Sequence, residues 1–311
     1  MKRFYIQLPG NWIGRFNMKI FVIGGSGLLG SEVSRLAVEI GYDVYSSYNK
    51  NIPKYGKPVR LNLIETTLIP KVIERIAPDV IIHTAALTNV DKCETEKREA
   101  YKINYIATEV ISKAYKPLGG KLIYISTDYV FDGERGLYSE GDTPNPINYY
   151  GYTKYKGEQS VSTILDDYLI VRTSVLYGPT PPYGKKSFVQ WIIENLSLKR
   201  KIKVVKDQWN SPTLTTNLGQ MILECIEKDL KGVIHLAGRE RISRYTFALK
   251  VADIFGFESD LIEAVSMDDL NWIARRPRDS SLNVKKAMET LKNKPLSIDE
   301  SLYMLKETIN F

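Results

Sequence analysis

The sequence is poor in the residues that build metal centres and disulfide frameworks. Two cysteines, Cys93 and Cys225, and two histidines, His83 and His235, are spread over 311 residues. The cysteines lie far apart without metal-ligand spacing, so no disulfide scaffold is indicated and a reducing, cytoplasmic setting is expected. Each histidine sits in an apolar run and reads as a strand residue, so no metal is expected. No apolar run approaches the length of a membrane span, and residues 1–17 lack the apolar centre of a signal peptide. The chain carries a net charge of +7, yet its basic residues are scattered. The densest cluster, Lys199-Arg-Lys-Ile-Lys203, has no interleaved aromatics and reads as a solvated helix end or turn. Nucleic acid is therefore not an expected partner, whereas an anionic substrate fits the charge.

What the sequence does contain is a strand, a glycine turn and a helix in immediate succession, from Met18 to Gly41. Ile20 to Ile23 is short, apolar and β-branched. Gly24, Gly27 and Gly30 follow, and then the helical spacing Val33, Leu36, Ala37, Ile40, ending at Gly41. Such a turn lets the backbone approach a pyrophosphate, and the helix N-terminus aims unpaired N–H groups at it. A dinucleotide site is expected over Gly24, Gly27, Leu28, Leu29 and Gly30.

Downstream, strand and helix patterns alternate. Asp43–Tyr48, Pro58–Leu63, Asp79–Ala86 and Lys121–Thr127 read as strands, with helical periodicity over Ile69–Ile76 and Glu99–Lys116. This alternation predicts an α/β fold, a doubly wound parallel sheet of the Rossmann type. Ligands in such sheets lie at the carboxyl ends of the strands. The second strand ends in Ser46, Ser47, Tyr48, Asn49 and Lys50 instead of an acidic residue. Hydroxyls, an amide and a cation suit a 2′-phosphate, so NADP(H) is favoured and NAD(H) is compatible. Asn62 and Leu63 are expected beside the adenine. Ala85, Ala86 and Leu87 leave room near the nicotinamide.

Tyr150 and Lys154 are four apart and share a helix face. An ammonium beside a phenol favours the phenolate and lowers its pKa, and the Thr127 hydroxyl could bond both the phenol and a substrate carbonyl. The chain has twenty tyrosines, and Tyr152/Lys156 repeats the same spacing. An exposed helical pair therefore stands beside the catalytic reading on spacing alone.

Several motifs decide for Tyr150. Gly24-Gly-Ser-Gly-Leu-Leu-Gly30, Val90-Asp-Lys-Cys-Glu94 and Ser126-Thr-Asp-Tyr-Val-Phe-Asp-Gly133 come first. Tyr150-Gly-Tyr-Thr-Lys154, Arg172-Thr-Ser-Val-Leu-Tyr-Gly178, Asp207-Gln-Trp-Asn-Ser-Pro-Thr213 and Arg276-Pro-Arg-Asp-Ser-Ser-Leu282 follow. With these the chain resembles the extended short-chain dehydrogenase/reductase family from Met18 almost to its end, and within it the branch that reduces nucleotide-linked 4-keto sugars. The resemblance implies hydride delivery from NAD(P)H to the C4 ketone of dTDP-4-dehydro-6-deoxy-L-mannose, giving dTDP-L-rhamnose. It implies Thr127, Tyr150 and Lys154 as the catalytic three, with Tyr150 the proton donor. Thr88, Asp128, Val130, Phe131 and Arg276 are the implied substrate contacts.

The resemblance also implies a cofactor domain over 18–175 plus about 231–239, and a discontinuous substrate domain over about 176–230 and 240–311. Residues 1–17 read as an appended extension or an ordered arm. The segment Pro179, Pro181, Pro182, Gly184 reads as a loop near the substrate. A homodimer is compatible with all of this. Two alternatives stay open. The regulatory subunit of methionine adenosyltransferase looks similar and binds NADP without sugar turnover. Nucleotide-sugar epimerases and dehydratases share the scaffold, but the dehydratases need an additional acid–base pair after the threonine, and here Asp128 is followed by Tyr129 and not by a glutamate.

Overall fold

The computed structural model describes residues 18–179 and 186–308. The extension 1–17 and the loop positions Pro181, Pro182 and Gly184 fall outside the described residues. The six N-terminal strands are β1 (Lys19–Ile23), β2 (Asp43–Tyr48), β3 (Lys57–Arg60), β4 (Val80–His83), β5 (Lys121–Thr127) and β6 (Tyr168–Thr173). With the edge strand Gly232–His235 they form one seven-stranded sheet. Its order is Gly232–His235, β6, β5, β4, β1, β2, β3. Every pairing in it is parallel. This is the expected doubly wound sheet.

Strand order reverses beside β1, which pairs β2 through Val22↔Ser46 and β4 through Ile23↔His83. The glycine turn after β1 thus opens at the switch point where such sheets bind ligands. The central strands are apolar without interruption because helices cover both faces. On one face lie α1 (Leu28–Ile40), whose Val33, Leu36 and Ala37 join Ile20, Val22 and Ile82 in a shared core. On the other, α2 (Ile69–Ile76) brings Ile69, Ile73 and Ile76 against Phe21, Ile23 and Ile81. Gly41 ends α1 with φ +101°, a left-handed C-cap that a side chain would strain.

The helix expected over Glu99–Lys116 is divided. After the short helices α3 (Val90–Thr95) and α4 (Lys97–Tyr101) comes a π-helical turn, Lys102–Ile106, and then α5 (Ala107–Tyr115). Apolar spacing does not distinguish a π turn from a regular one. Next come α6 (Tyr149–Ile164) and α7 (Phe188–Ser197).

The C-terminal segments are shared between two cores. The helices α7 and α9 (Arg244–Phe255) build a second apolar cluster around Ile192, Leu196, Phe247 and Val251. Helix α8 (Thr215–Glu227) departs from the division expected around residue 230. Its Leu218, Met221, Ile222 and Ile226 pack into the core of α1 and the sheet, as do Ala287 and Leu291. The cause is its apolar face, which is long enough to cover sheet beside α1.

Candidate active site

The carboxyl ends of β1, β2, β4, β5 and β6 open onto one cleft of about 680 Å³. At its head, Gly24 has φ +95°, and its N–H donates to Ser47 Oγ at 2.9 Å. The end of β2 is thereby tied to the glycine turn. A Cβ on Gly30 would lie 2.2 Å from the Gly24 carbonyl oxygen and 2.8 Å from Thr84 Oγ1. The helix can approach the strand this closely only with glycine there. Gly27 caps α1 without a side-chain hydrogen bond, so the first N–H groups of the helix stay available to an anion in the cleft.

Helix α6 delivers Tyr150 and Lys154 to the middle of the cleft. Asn148 caps it, accepting from Gly151 N–H at 2.9 Å, while Glu94 accepts the Tyr149 N–H at 2.6 Å. A Cβ on Gly151 would sit 2.0 Å from the Tyr129 carbonyl oxygen, so the helix start rests directly on the turn Asp128–Val130 after β5. The rings of Tyr129 and Tyr150 meet edge to face at 6.0 Å. Burial pushes the Tyr150 phenol well above its usual pKa, opposed by hydrogen bonding to Thr127 and reinforced by the carboxyl of Asp128. Lys154 is buried, and burial pulls its ammonium down to about 7 against the opposing pull of Glu158. Its Nζ donates to the Ile125 carbonyl at 2.7 Å and lies 4.0 Å from the Tyr124 ring centroid.

One expectation needs correcting here. The Lys154 charge is engaged by the Ile125 carbonyl and the Tyr124 face, and the Tyr150 phenol is raised, not lowered. Burial is the main cause, reinforced by the Asp128 carboxyl. A phenol is protonated at neutral pH with or without this shift, the form a proton donor needs.

The cleft brings together most of the residues expected from sequence. Gly24, Gly27, Leu28, Leu29, Gly30, Ser47, Asn49, Asn62, Leu63, Ala85 and Ala86 line it, with Thr88, Thr127, Asp128, Tyr150 and Lys154. Asn62 also braces its own turn, accepting from Ile64 N–H and donating to Glu65. Asp128 is buried. It accepts from Thr127 at 3.0 Å, Ser174 at 2.8 Å and Ser280 at 2.6 Å, tying β5 to the C-terminal segment.

Five expected residues are not part of the lining. Lys50 is exposed beyond the end of β2. The N–H and C=O of Leu87 are both held by the Asn104 side chain, at 2.7 and 3.1 Å. Val130 and Phe131 turn into a small core, where Phe131 stacks on Tyr138 with centroids 4.3 Å apart. They follow a turn, and their apolar side chains are worth more buried than facing a wet cleft. Arg276 is held by Asp91 at 2.8 Å and lies over the Trp272 ring.

Other residues escaped the sequence reading. Asn104, in the π turn, fixes Leu87 and donates to Thr153 of α6 at 3.1 Å. π turns cluster at functional sites, but one polar residue inside a helical pattern gave no signal. Val175 lines the cleft with φ +42°, a strained conformation for a β-branched residue. Arg244, the first residue of α9, also lines it.

A glycine turn at the switch point of a parallel sheet, with a buried lysine and a protonated tyrosine across the same cleft, defines an NAD(P)-dependent oxidoreductase of the extended short-chain dehydrogenase/reductase type. Comparison with known proteins narrows this. The chain belongs to the RmlD substrate binding domain family, whose model matches residues 18–309. It is 34% identical to the probable low-salt glycan biosynthesis reductase Agl14 of Haloferax volcanii, over 86% of this chain and 90% of that protein. It is 30% identical to methionine adenosyltransferase 2 subunit beta of Xenopus tropicalis, over 90% of this chain and 83% of that one. The structure of dTDP-4-dehydrorhamnose reductase from Bacillus anthracis in complex with NADP superposes with a TM-score of 0.85 at 33% identity, covering 94% of this chain and all of that one.

Proposed function

We propose that the protein uses NADPH to reduce the C4 ketone of a nucleotide-linked 4-keto-6-deoxysugar, dTDP-4-dehydro-6-deoxy-L-mannose, to dTDP-L-rhamnose. The observation that carries this reading is Tyr150. It lines the cleft beside Thr127, one helical turn before Lys154 on the same helix. Reduction of a ketone needs a proton at the oxygen as hydride reaches the carbon, and a protonated phenol within reach of a hydroxyl supplies it. Thr127 would hold the carbonyl oxygen in line with the phenol.

The residues of the cleft fit a nicotinamide dinucleotide. Gly24, Gly27 and Gly30 leave a surface without side chains, and the uncapped start of α1 offers donors to a pyrophosphate. The cofactor supplies the hydride. Ser47 and Asn49 line the adenosine end, and no acidic residue stands at the end of β2 to repel a 2′-phosphate. NADP(H) is therefore preferred, with NAD(H) tolerated. Buried Lys154 would bond the nicotinamide ribose.

The test is direct. Purified protein receives NADPH or NADH with the keto sugar generated in situ, and absorbance at 340 nm is followed. Turnover is expected, and Tyr150→Phe should lower it by about 10²–10⁴-fold while leaving NADPH binding intact. Full activity in that variant would overturn the reading. A second reading, an NADP-binding regulatory subunit, is favoured by the similarity to methionine adenosyltransferase 2 subunit beta. It predicts tight NADPH binding without turnover and co-purification with a methionine adenosyltransferase. The conjunction of Thr127, Tyr150 and Lys154 in one cleft supports the enzyme instead.

A further inference from the structure

Among the described residues, three cations line the cleft: Lys154, Lys186 and Arg244. Lys154 is committed to the Ile125 carbonyl. Lys186 closes on Glu194, with both carboxylate oxygens within 2.7 Å of its Nζ. Arg244 has no carboxylate ion pair among the described residues. Its Nε is buried without a hydrogen-bond partner. The carboxyl that acts on it, Asp128, already accepts three hydroxyl groups. Burial disfavours the charge on Arg244, opposed by the Tyr129 hydroxyl, which is a hydrogen-bond partner, and by Asp128, while a second guanidinium, Arg276, adds to the penalty.

A buried Nε–H left without a partner is costly unless something meets it. The structure nonetheless fixes the backbone that carries this side chain. The Arg244 backbone N–H donates to the Gln208 carbonyl at 2.9 Å, and Ser243 caps α9 by accepting from the Thr246 N–H. The strand Ile242–Ser243 pairs with Trp209–Asn210. The motif Asp207–Thr213 therefore supports the start of α9. The guanidinium lies 4.9 Å from the Phe188 centroid, at the start of α7. Tyr129, its neighbour, meets the ring of Tyr150. Arg244 thus stands on the reacting side of the cleft, remote in the fold from the glycine turn and Ser47 that close the adenosine end.

We infer that Arg244 is the anion-recognition residue of the substrate arm, and that it takes the diphosphate of a nucleoside-diphosphate sugar. The inference rests on the substrate class proposed above. A guanidinium presents a planar fork of donors that matches phosphate oxygens, which an ammonium does not. The role expected for Arg276 passes to Arg244, because Asp91 holds Arg276.

The experiment measures binding of dTDP to the full chain preloaded with NADPH, by calorimetry, in wild type, Arg244→Gln and Arg244→Lys. It also records kcat and KM for the keto sugar. Arg244→Gln should weaken dTDP and raise KM by about 10- to 100-fold, with Arg244→Lys between it and wild type. Affinity for NADPH, unchanged in both variants, reports that the fold is intact. If wild type turns over the sugar and Arg244→Gln keeps its KM and dTDP affinity, the inference falls and the proposed reaction stands. If Arg244→Gln weakens NADPH but not NADH, the residue reads the cofactor phosphate and the inference also falls. If wild type binds no dTDP and reduces no nucleotide sugar, both readings fall together. Should Arg244→Gln lose NADPH binding through misfolding, Arg244→Lys decides: dTDP affinity equal to wild type overturns the inference, and a loss with NADPH binding kept supports it.

Discussion

Glu158 and Arg172 form a bidentate ion pair immediately behind the reacting groups. Arg172 Nε and Nη2 reach the two carboxylate oxygens at 3.0 and 2.8 Å, and both side chains are almost fully buried. Ser126, one residue before Thr127, donates its hydroxyl to the same carboxylate at 2.5 Å. Glu158 lies one helical turn after Lys154 on α6 and acts on its charge. The pair therefore joins three things that must keep register: the end of β5, the lysine-bearing face of α6, and β6.

Breaking the pair from one side should cost more than removing both members. Glu158→Gln leaves the Arg172 guanidinium buried with a neutral partner, an effect of about 3–5 kcal/mol for a truncated buried pair. The double replacement Glu158→Leu/Arg172→Met should recover a large part of that stability, since two charges no longer need compensation. Denaturant unfolding of Glu158→Gln, Arg172→Met and the double variant measures this. Equal losses in all three would contradict the picture.

The contact between Gly30 and the Gly24 carbonyl makes a second prediction. A methyl group at residue 30 cannot fit 2.2 Å from that oxygen, so Gly30→Ala must push α1 away from β1. We expect a loss of about 1–3 kcal/mol of stability, the usual cost of overpacking, and at least about tenfold weaker NADPH binding. Fluorescence titration with NADPH reads the second effect. Unchanged affinity would show that the turn tolerates a separation that the packing forbids.

Asn104 holds the turn after β4 by both ends of its amide. Without it the Leu87 N–H loses its partner and the Leu87 C=O keeps only the weak Cys93 thiol donor, each lost bond worth about 0.5–1.5 kcal/mol. Asn104→Ala should therefore loosen Ala85–Thr88 and raise the Kd for NADPH while leaving Tyr150 in place. Hydrogen exchange resolved to that segment should show faster exchange at Leu87 than in wild type, and an unaltered rate there would remove Asn104 from this role.

These cases mark what the sequence could and could not reveal. The parallel sheet was readable because its central strands are unbroken apolar runs, and the glycine turn because its residue types are forced by backbone proximity. Most cleft residues followed from the rule that ligands gather at strand ends. Val130 and Phe131 were misplaced because a motif names residues without saying which way they point. Arg276 was misplaced because its partner Asp91 lies 185 positions away in the chain. Arg244 gave no signal for a related reason: the segments that support it come from Gln208, Phe188 and Tyr129, and only the tertiary fold brings them together. The division of the C-terminal segments was blurred for the same cause, since which core the apolar face of α8 joins is decided by the tertiary fold.

Lys154 links the site to the stability of the whole chain. Its ammonium, buried against the Ile125 carbonyl, has its pKa lowered to about 7, against 10.5 for the free side chain. Between those values the unfolded chain binds more protons than the folded one, so stability rises with pH across that window. Below about 7 both states are protonated, and the folded protein carries the full cost of a buried cation. Lys154→Met removes this titration. The stability difference between wild type and variant should therefore move in favour of wild type as pH increases from 7 towards 10, and should be flat below 7. Urea unfolding of both proteins over pH 6–10 tests the sign, and because the other titrating groups are common to both, they cancel in the difference. Parallel profiles would mean that the lysine keeps its charge throughout, with the Ile125 carbonyl and the Tyr124 ring compensating it fully.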